Sequence, residues 1–191
     1  MPASIQQSQM ESDRLSAIKT IDSEIRAIEE LKKSLDAESL TKALDFMQNS
    51  TGRIIITGMG KSGHIGKKIA ASLASTGTPS FFVHPAEASH GDLGMITDDD
   101  VVIAISNSGE SRELIDILNY CKRFGIKLIA ITKNQDSSLG KAGDVVLLLP
   151  NNGEACPLGL APTSSTTATL VLGDILTIRM IERKGFSKED F

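Results

Sequence analysis

The stretch Arg53-Ile54-Ile55-Ile56-Thr57-Gly58-Met59-Gly60-Lys61-Ser62-Gly63 decides the fold. A β-rich run, Arg53 to Thr57, breaks into a glycine turn and leads into a segment from Gly63 to Ser75 with helical spacing. The run is apolar instead of alternating, as expected for a strand covered on both faces, and such strands belong to parallel sheets with crossover helices. The pattern recurs downstream in Ser80–Val83, Val101–Ile105, Lys127–Thr132 and Val145–Leu149. Between these runs helices are expected at about Arg112–Phe124 and Ser164–Arg183, with a shorter piece near Ser137–Ala142. The expectation is an α/β fold around a central parallel sheet of five strands.

Upstream the period changes. Leu15, Ile18, Ile21, Ile25, Ile28, Leu31 and Leu35 recur at intervals of three or four, with charged residues on the other faces, which predicts an amphipathic helix. Its apolar stripe suits either its own domain's core or a second subunit. Another helix is predicted over Ala37–Gln48, ending at the turn-forming cluster Asn49-Ser50-Thr51-Gly52. Residues 1–51 therefore read as a helical segment packing on the domain or on a partner subunit, and 52–191 as the domain itself.

At 191 residues the chain is roughly 1.3 times a typical domain of about 150. Its 40% hydrophobic and 23% charged residues place it among soluble globular chains. The net charge of -4 argues against a nucleic-acid coat or a polybasic membrane binder. No apolar run approaches the roughly 18 to 20 residues of a membrane span. The Gln- and Ser-rich start, Met1 to Met10, has no secretory pattern, and the two cysteines, Cys121 and Cys156, suggest no disulfide framework. A reducing cytoplasm is the expected location.

In open parallel sheets ligands bind beyond the carboxyl ends of the strands. The first such loop, Gly58-Met59-Gly60-Lys61-Ser62-Gly63, fits G-x-G-x-x-G. A dinucleotide site would want an acidic residue about 20 positions on, where the chain instead runs Phe81-Phe82-Val83-His84-Pro85. A Walker A loop also fails, because Ile55 stands where its first glycine belongs. What remains is the physics common to both motifs: backbone amides at a helix start facing an anion, with Lys61 adding charge. After the third strand, Ser106-Asn107-Ser108-Gly109-Glu110-Ser111 offers three hydroxyls at another strand-to-helix junction, donors suited to phosphate. A single such serine would more often be a helix cap.

Beyond the fifth strand, Glu154 precedes the hydroxyl cluster Thr163-Ser164-Ser165-Thr166-Thr167, a third helix start able to join the same pocket. A carboxylate beside an anion site is a candidate general base, although a surface glutamate reads the same way. Of the histidines His64, His84 and His90, the last stands in His90-Gly91-Asp92, but no set with metal-ligand spacing emerges. Asp98-Asp99-Asp100 reads as a solvated turn.

Four strings carry a resemblance to a known family: Gly58 to Lys68, Thr76 to Asp92, Ser106 to Glu113 and Glu154 to Thr166. They resemble the sugar isomerase (SIS) domain family, and within it the arabinose 5-phosphate isomerases, from about Arg53 to Phe191. The resemblance implies a three-layer αβα SIS domain with a five-stranded parallel sheet, assembled as a tetramer with sites near subunit boundaries. It implies interconversion of D-ribulose 5-phosphate and D-arabinose 5-phosphate, the entry to Kdo synthesis for lipopolysaccharide or capsule. Such isomerases are often longer, with two regulatory CBS domains, and usually continue past the segment matched by Glu189-Asp190-Phe191 to a catalytic histidine without a counterpart in these 191 residues. The expectation is a chain either impaired by that loss or more dependent on His90.

An aldose–ketose isomerisation needs general acid/base groups and a phosphate anchor, and no redox cofactor. The substrate-binding candidates are Gly60, Ser62, Ser106, Asn107, Ser108, Gly109, Ser111, Ser165 and Thr166. The resemblance makes Glu154 the carbon base, with Glu113 and His90 moving hydroxyl protons or opening the furanose ring, while Lys61 steadies charge on the carbonyl oxygen. No cofactor or metal is expected. The competing reading is a non-catalytic SIS module that binds a sugar phosphate and regulates a partner. The joint presence of Lys61, Glu113 and Glu154 favours the enzyme.

Overall fold

The computed structural model describes residues 3–191. In chain order the elements are α1 (Ala3–Ser34), α2 (Ala37–Asn49), β1 (Ile54–Gly58), α3 (Gly60–Ser75), β2 (Ser80–Val83) and α4 (Pro85–Ala88). There follow a 3₁₀ turn (Asp92–Met95), β3 (Val101–Ile105), a second 3₁₀ turn (Arg112–Leu114), α5 (Ile115–Phe124), β4 (Lys127–Thr132), α6 (Ser138–Ala142), β5 (Val145–Leu148) and α7 (Ser164–Lys184). The sheet has five parallel strands in the order β2-β1-β3-β4-β5, with Ile56 level with Phe82 on one side and Ile103 on the other. Helices cover both faces, so the architecture is the expected α/β sandwich.

Because side chains alternate along a strand, each run of β-branched residues feeds two cores. Ile54, Ile56, Ile103, Ile105, Ile129 and Leu147 meet Ile69, Leu73, Leu172 and Leu176 of α3 and α7, and Ala27, Leu31 and Leu44 of α1 and α2. Ile55, Val102, Ala104, Leu128 and Ala130 meet Ile96, Leu114, Ile117 and Leu139 on the opposite face. Each fully buried Ile or Leu contributes about 1.5–3 kcal/mol, which is why the central strands tolerate no polar face.

Three local readings are corrected. Helix α3 begins at Gly60 and not Gly63, so the glycine loop is itself the first helical turn. The close approach demands it: a Cβ on Gly63 would run into the Gly58 carbonyl. Helix α1 extends well beyond Leu15 toward the N-terminus. In the acidic run, Asp98 and Asp99 are exposed, but Asp100 is 2% exposed and is no solvated residue. Its carboxylate accepts from the Arg53 amide at 2.7 Å and the Thr97 amide at 2.8 Å, tying the starts of β1 and β3 together.

Candidate active site

Strand order places β1 between β2 and β3, so the chain direction across the sheet reverses there and leaves a crevice at the carboxyl ends. The turn Gly60-Lys61-Ser62 opens α3 directly above β1. As first-turn amides of a helix, those three have no helical acceptor, and they face outward with the positive end of the helix dipole. Lys61 is exposed and has no ion-pair partner among the described residues.

Beside it, over β3, the loop from Ser106 to Ser111 is tightly wound. The Ser106 hydroxyl accepts from the Gly109 amide at 3.1 Å and pairs with the Ser111 hydroxyl at 2.8 Å. The loop's back is clamped to the β4–α6 turn. The Asn107 carbonyl accepts from the Lys133 amide at 3.1 Å, the Gly109 carbonyl accepts from the Leu139 amide at 3.0 Å, and Glu110 accepts from the Ser138 amide at 2.9 Å. Ser108 stays exposed at the front, and its hydroxyl accepts only from the Glu110 amide, at 3.2 Å.

Helix α7 brings in the third group. It lies beside α3 and runs the same way: Gly173 packs on Ile69, Lys68 pairs with Asp174, and Lys184 donates to the Gly77 carbonyl at 3.0 Å. Counting back from Ile69 and Gly173, the starts of the two helices are level. Glu154, held at the start of α7, thus lies at the same end of the two helices as the Lys61 turn. Its Oε2 accepts from the Thr163 amide at 2.8 Å, the Ser165 amide at 3.1 Å and the Thr163 hydroxyl at 3.2 Å. Burial pushes its pKa up. The Ser165 hydroxyl and amide and the Thr163 amide and hydroxyl more than reverse this, so the carboxyl ionises below its usual range.

The two helix starts therefore differ. At α3 the amides are open to a ligand; at α7 two of them already hold Glu154. The Thr166 hydroxyl donates to the Thr163 carbonyl at 2.7 Å, and Ser165 is 9% exposed. Ser164 and Thr167 turn away toward α1, bonding Ser23 at 3.1 Å and Glu24 at 2.9 Å.

His90 and Glu113 lie at the same carboxyl edge but on the α4–α5 side, both exposed. Their segments touch through Ser89, whose hydroxyl donates to Asp116 at 2.6 Å. Lys61 and Glu154 thus come from the α3–α7 face of the sheet, and His90 and Glu113 from the α4–α5 face. Three polar atoms at the ends of these adjacent strands, Thr57 Oγ1, His84 Nδ1 and Asn107 Oδ1, are buried without a hydrogen-bond partner. Such orphans mark where water or a ligand belongs. Among the described residues no cluster of three metal-ligating side chains exists.

The site is an open edge in the single chain. A cavity of about 660 Å³ lies elsewhere, between α5 and α6. One of about 390 Å³ separates α1 at Ser12, Leu15, Ser16, Lys19 and Thr20 from Ala155 and Pro157, next to Glu154. The functional candidate that sequence reasoning missed is Thr163, indistinguishable within its run of hydroxyl residues until its two bonds to Glu154 are seen.

The chain is 57% identical over 176 residues to the arabinose 5-phosphate isomerase KdsD of Pseudomonas aeruginosa, covering 92% of the chain and 54% of that relative. It is 56% identical over 178 residues to KdsD of Francisella tularensis, again covering 92% of the chain and 54% of the relative. The chain spans about half the length of these curated relatives. Among solved structures, Escherichia coli CFT073 c3406 in complex with arabinose 5-phosphate superposes with a TM-score of 0.88 at 43% identity, covering 94% of this chain and 95% of that one. The SIS domain model matches residues 47–179, the whole sheet with the loops at its carboxyl edge, and by that match the chain belongs to the SIS domain family.

Proposed function

We propose that the chain is an intramolecular aldose–ketose isomerase that interconverts D-ribulose 5-phosphate and D-arabinose 5-phosphate through an enediol. The observation that carries this reading is the 43% identity, over nearly the full length of both chains, to a structure solved in complex with arabinose 5-phosphate. The phosphate sits between the open amides of Gly60 and Ser62 and the Ser106-Asn107-Ser108-Gly109-Glu110-Ser111 loop, with Ser165 and Thr166 closing the wall at α7. Lys61 faces the carbonyl oxygen and stabilises its developing charge. Glu154, ionised at neutral pH, removes the carbon-bound proton, and Glu113 and His90 move hydroxyl protons from the other flank. The reaction is redox-neutral, and no cofactor is assigned to it.

The proposal extends to a homotetrameric enzyme of the cytoplasm whose product enters Kdo synthesis, with residues 1–51 as the assembling segment and 52–191 as the catalytic domain. No described helix is long and apolar enough to cross a membrane. The test is Glu154→Gln, which keeps the hydrogen-bonding shape and deletes the base. Followed by NMR, turnover of ribulose 5-phosphate should fall by about 100-fold or more while sugar-phosphate binding persists. Wild type should also wash solvent deuterium into C2 of arabinose 5-phosphate. A variant that exchanged at the wild-type rate would remove Glu154 from the base role, and a wild type that bound without turnover would make the chain a binding module.

A further inference from the structure

Thr163 lies at a junction of hydrogen bonds whose directions are fixed by chemistry. The Ala155 amide meets Thr163 Oγ1 at 2.8 Å, and an amide only donates, so the hydroxyl oxygen accepts there and keeps its own proton free. The next partner of Oγ1 is Glu154 Oε2 at 3.2 Å, and a carboxylate oxygen only accepts. The hydroxyl proton therefore points at Oε2. With the amides of Thr163 and Ser165, that oxygen holds three donors, none of which reaches Oε1, and the Ser165 hydroxyl adds a further hydrogen bond to the carboxyl.

We propose that Thr163 is the positioning residue of the proton-transfer step: it locks Oε2 of Glu154 against the start of α7 and leaves Oε1 as the oxygen that takes the carbon-bound proton. The proposal rests on the isomerase reading and assigns the atom at which it acts. In the aldose-to-ketose direction the proton on C2 passes to Oε1, and its bonding pair becomes the C1–C2 double bond of the enediolate. The C1 carbonyl oxygen takes the negative charge beside Lys61. Glu154 is then neutral, with its carbonyl oxygen at Oε2 still holding its donors; Glu113 and His90 carry the C2 hydroxyl proton to O1, and Glu154 returns its own proton to C1 as the ketone forms at C2. Three donors on Oε2 keep that proton on Oε1 throughout.

Ionisable groups on the elements packed around the start of α7 are Cys156 on the Glu154 loop, Lys19 on α1 across a cavity from Ala155 and Pro157, Glu24 accepting from Thr167, and Lys61 at the level start of α3. Changes at Thr163 leave all of them in place.

The experiment compares Thr163→Val, which keeps the branched shape and deletes the hydroxyl, with Thr163→Ser, which keeps the donor. The carboxyl of Glu154 is titrated by carbon-13 NMR in each, its signal assigned by loss in Glu154→Gln. Its pKa should rise in Thr163→Val and stay at the wild-type value in Thr163→Ser. With arabinose 5-phosphate, kcat should fall by about tenfold or more in Thr163→Val with KM within about twofold, and Thr163→Ser should restore it. Unchanged titration in a folded Thr163→Val, or a rise in KM with kcat intact, overturns the proposal. If Thr163→Val does not fold, Thr163→Ala is read by the same two measurements. A wild type without turnover defeats the isomerase reading itself, a result the titration distinguishes because it needs no activity.

Discussion

Asp100 and Glu154 are both carboxylates held by backbone amides, and the contrast between them separates fold from function. Asp100 has no exposed side-chain surface and receives the Arg53 and Thr97 amides together with the Arg53 guanidinium, whose Nη2 lies 3.4 Å away. Burial raises its pKa, and the Thr97 and Arg53 hydrogen bonds outweigh that and hold it below the ordinary value. A folded pKa that is depressed means stabilisation present above the unfolded value, near pH 4, and lost as pH falls through the folded one. Asp100→Asn should therefore lower stability by about 2–3 kcal/mol at neutral pH and flatten the fall of Tm below about pH 4. Thermal unfolding of both proteins between about pH 2 and 7 checks this, and parallel curves would refute it. Glu154 differs in standing half-buried at the carboxyl edge of the sheet, with Oε1 outside the amide bonds that hold Oε2.

At the scale of the element, the serine loop depends on a glycine that has two reasons to be one. Gly109 has φ +76° and its missing Cβ points at the Ser137 side chain of the β4–α6 turn. Gly60, at φ +58°, meets nothing within 4 Å. Alanine at Gly60 thus carries only the conformational cost, about 1–2 kcal/mol, whereas alanine at Gly109 adds a clash and should cost roughly 1–3 kcal/mol more. Chemical denaturation of the two variants gives the difference directly. Equal losses would mean that the loop is not clamped from behind. Because Gly109 holds Ser106 and Ser108 in place, its variant should also bind sugar phosphate less well.

For the whole molecule, the telling element is α1. Its C-terminal third packs on α7 through Ala27 and Leu31, and Ser23 is level with Ser164 at the carboxyl edge. The preceding turns project about 30 Å past that edge, beyond the candidate site. Leu15 and Ile21 are 49% and 57% exposed along this projection, Ile25 just inside the edge is 47% exposed, and Leu158 and Leu160 on the Glu154 loop are 77% and 79% exposed. Such a surface is costly in water and suits a second copy of the chain. Replacing Ile21 and Ile25 together with Asp should convert the assembly to monomers in light scattering without loss of helical circular dichroism. A wild-type monomer at micromolar concentration would contradict this reading. Assembly of this kind would also roof the open edge at Lys61 and Glu154.

What residue type and spacing determine by themselves is local. Runs such as Ile54 to Ile56 and Val101 to Ile105 are apolar on both faces because both faces are covered, so all five strands, their crossover helices and the loops beyond their ends were legible. The amides and hydroxyls at the strand-to-helix junctions Gly60-Lys61-Ser62 and Ser106 to Ser111 were legible as well, and on them the proposed phosphate site rests. Helix α4 was missed because four residues carry too little periodicity to register, and the burial of Asp100 was missed because an acidic run looks solvated whatever surrounds it. The strand order, the level starts of α3 and α7 and the capture of one Glu154 oxygen by Thr163 were decided only by tertiary structure. The reason is that a contact between residues on different elements is fixed by packing: Gly173 against Ile69 sets the height of α7, and that height puts its start, where Glu154 is held, level with the Lys61 turn. A glutamate on bare surface and a glutamate locked at a helix start are the same letter in the chain.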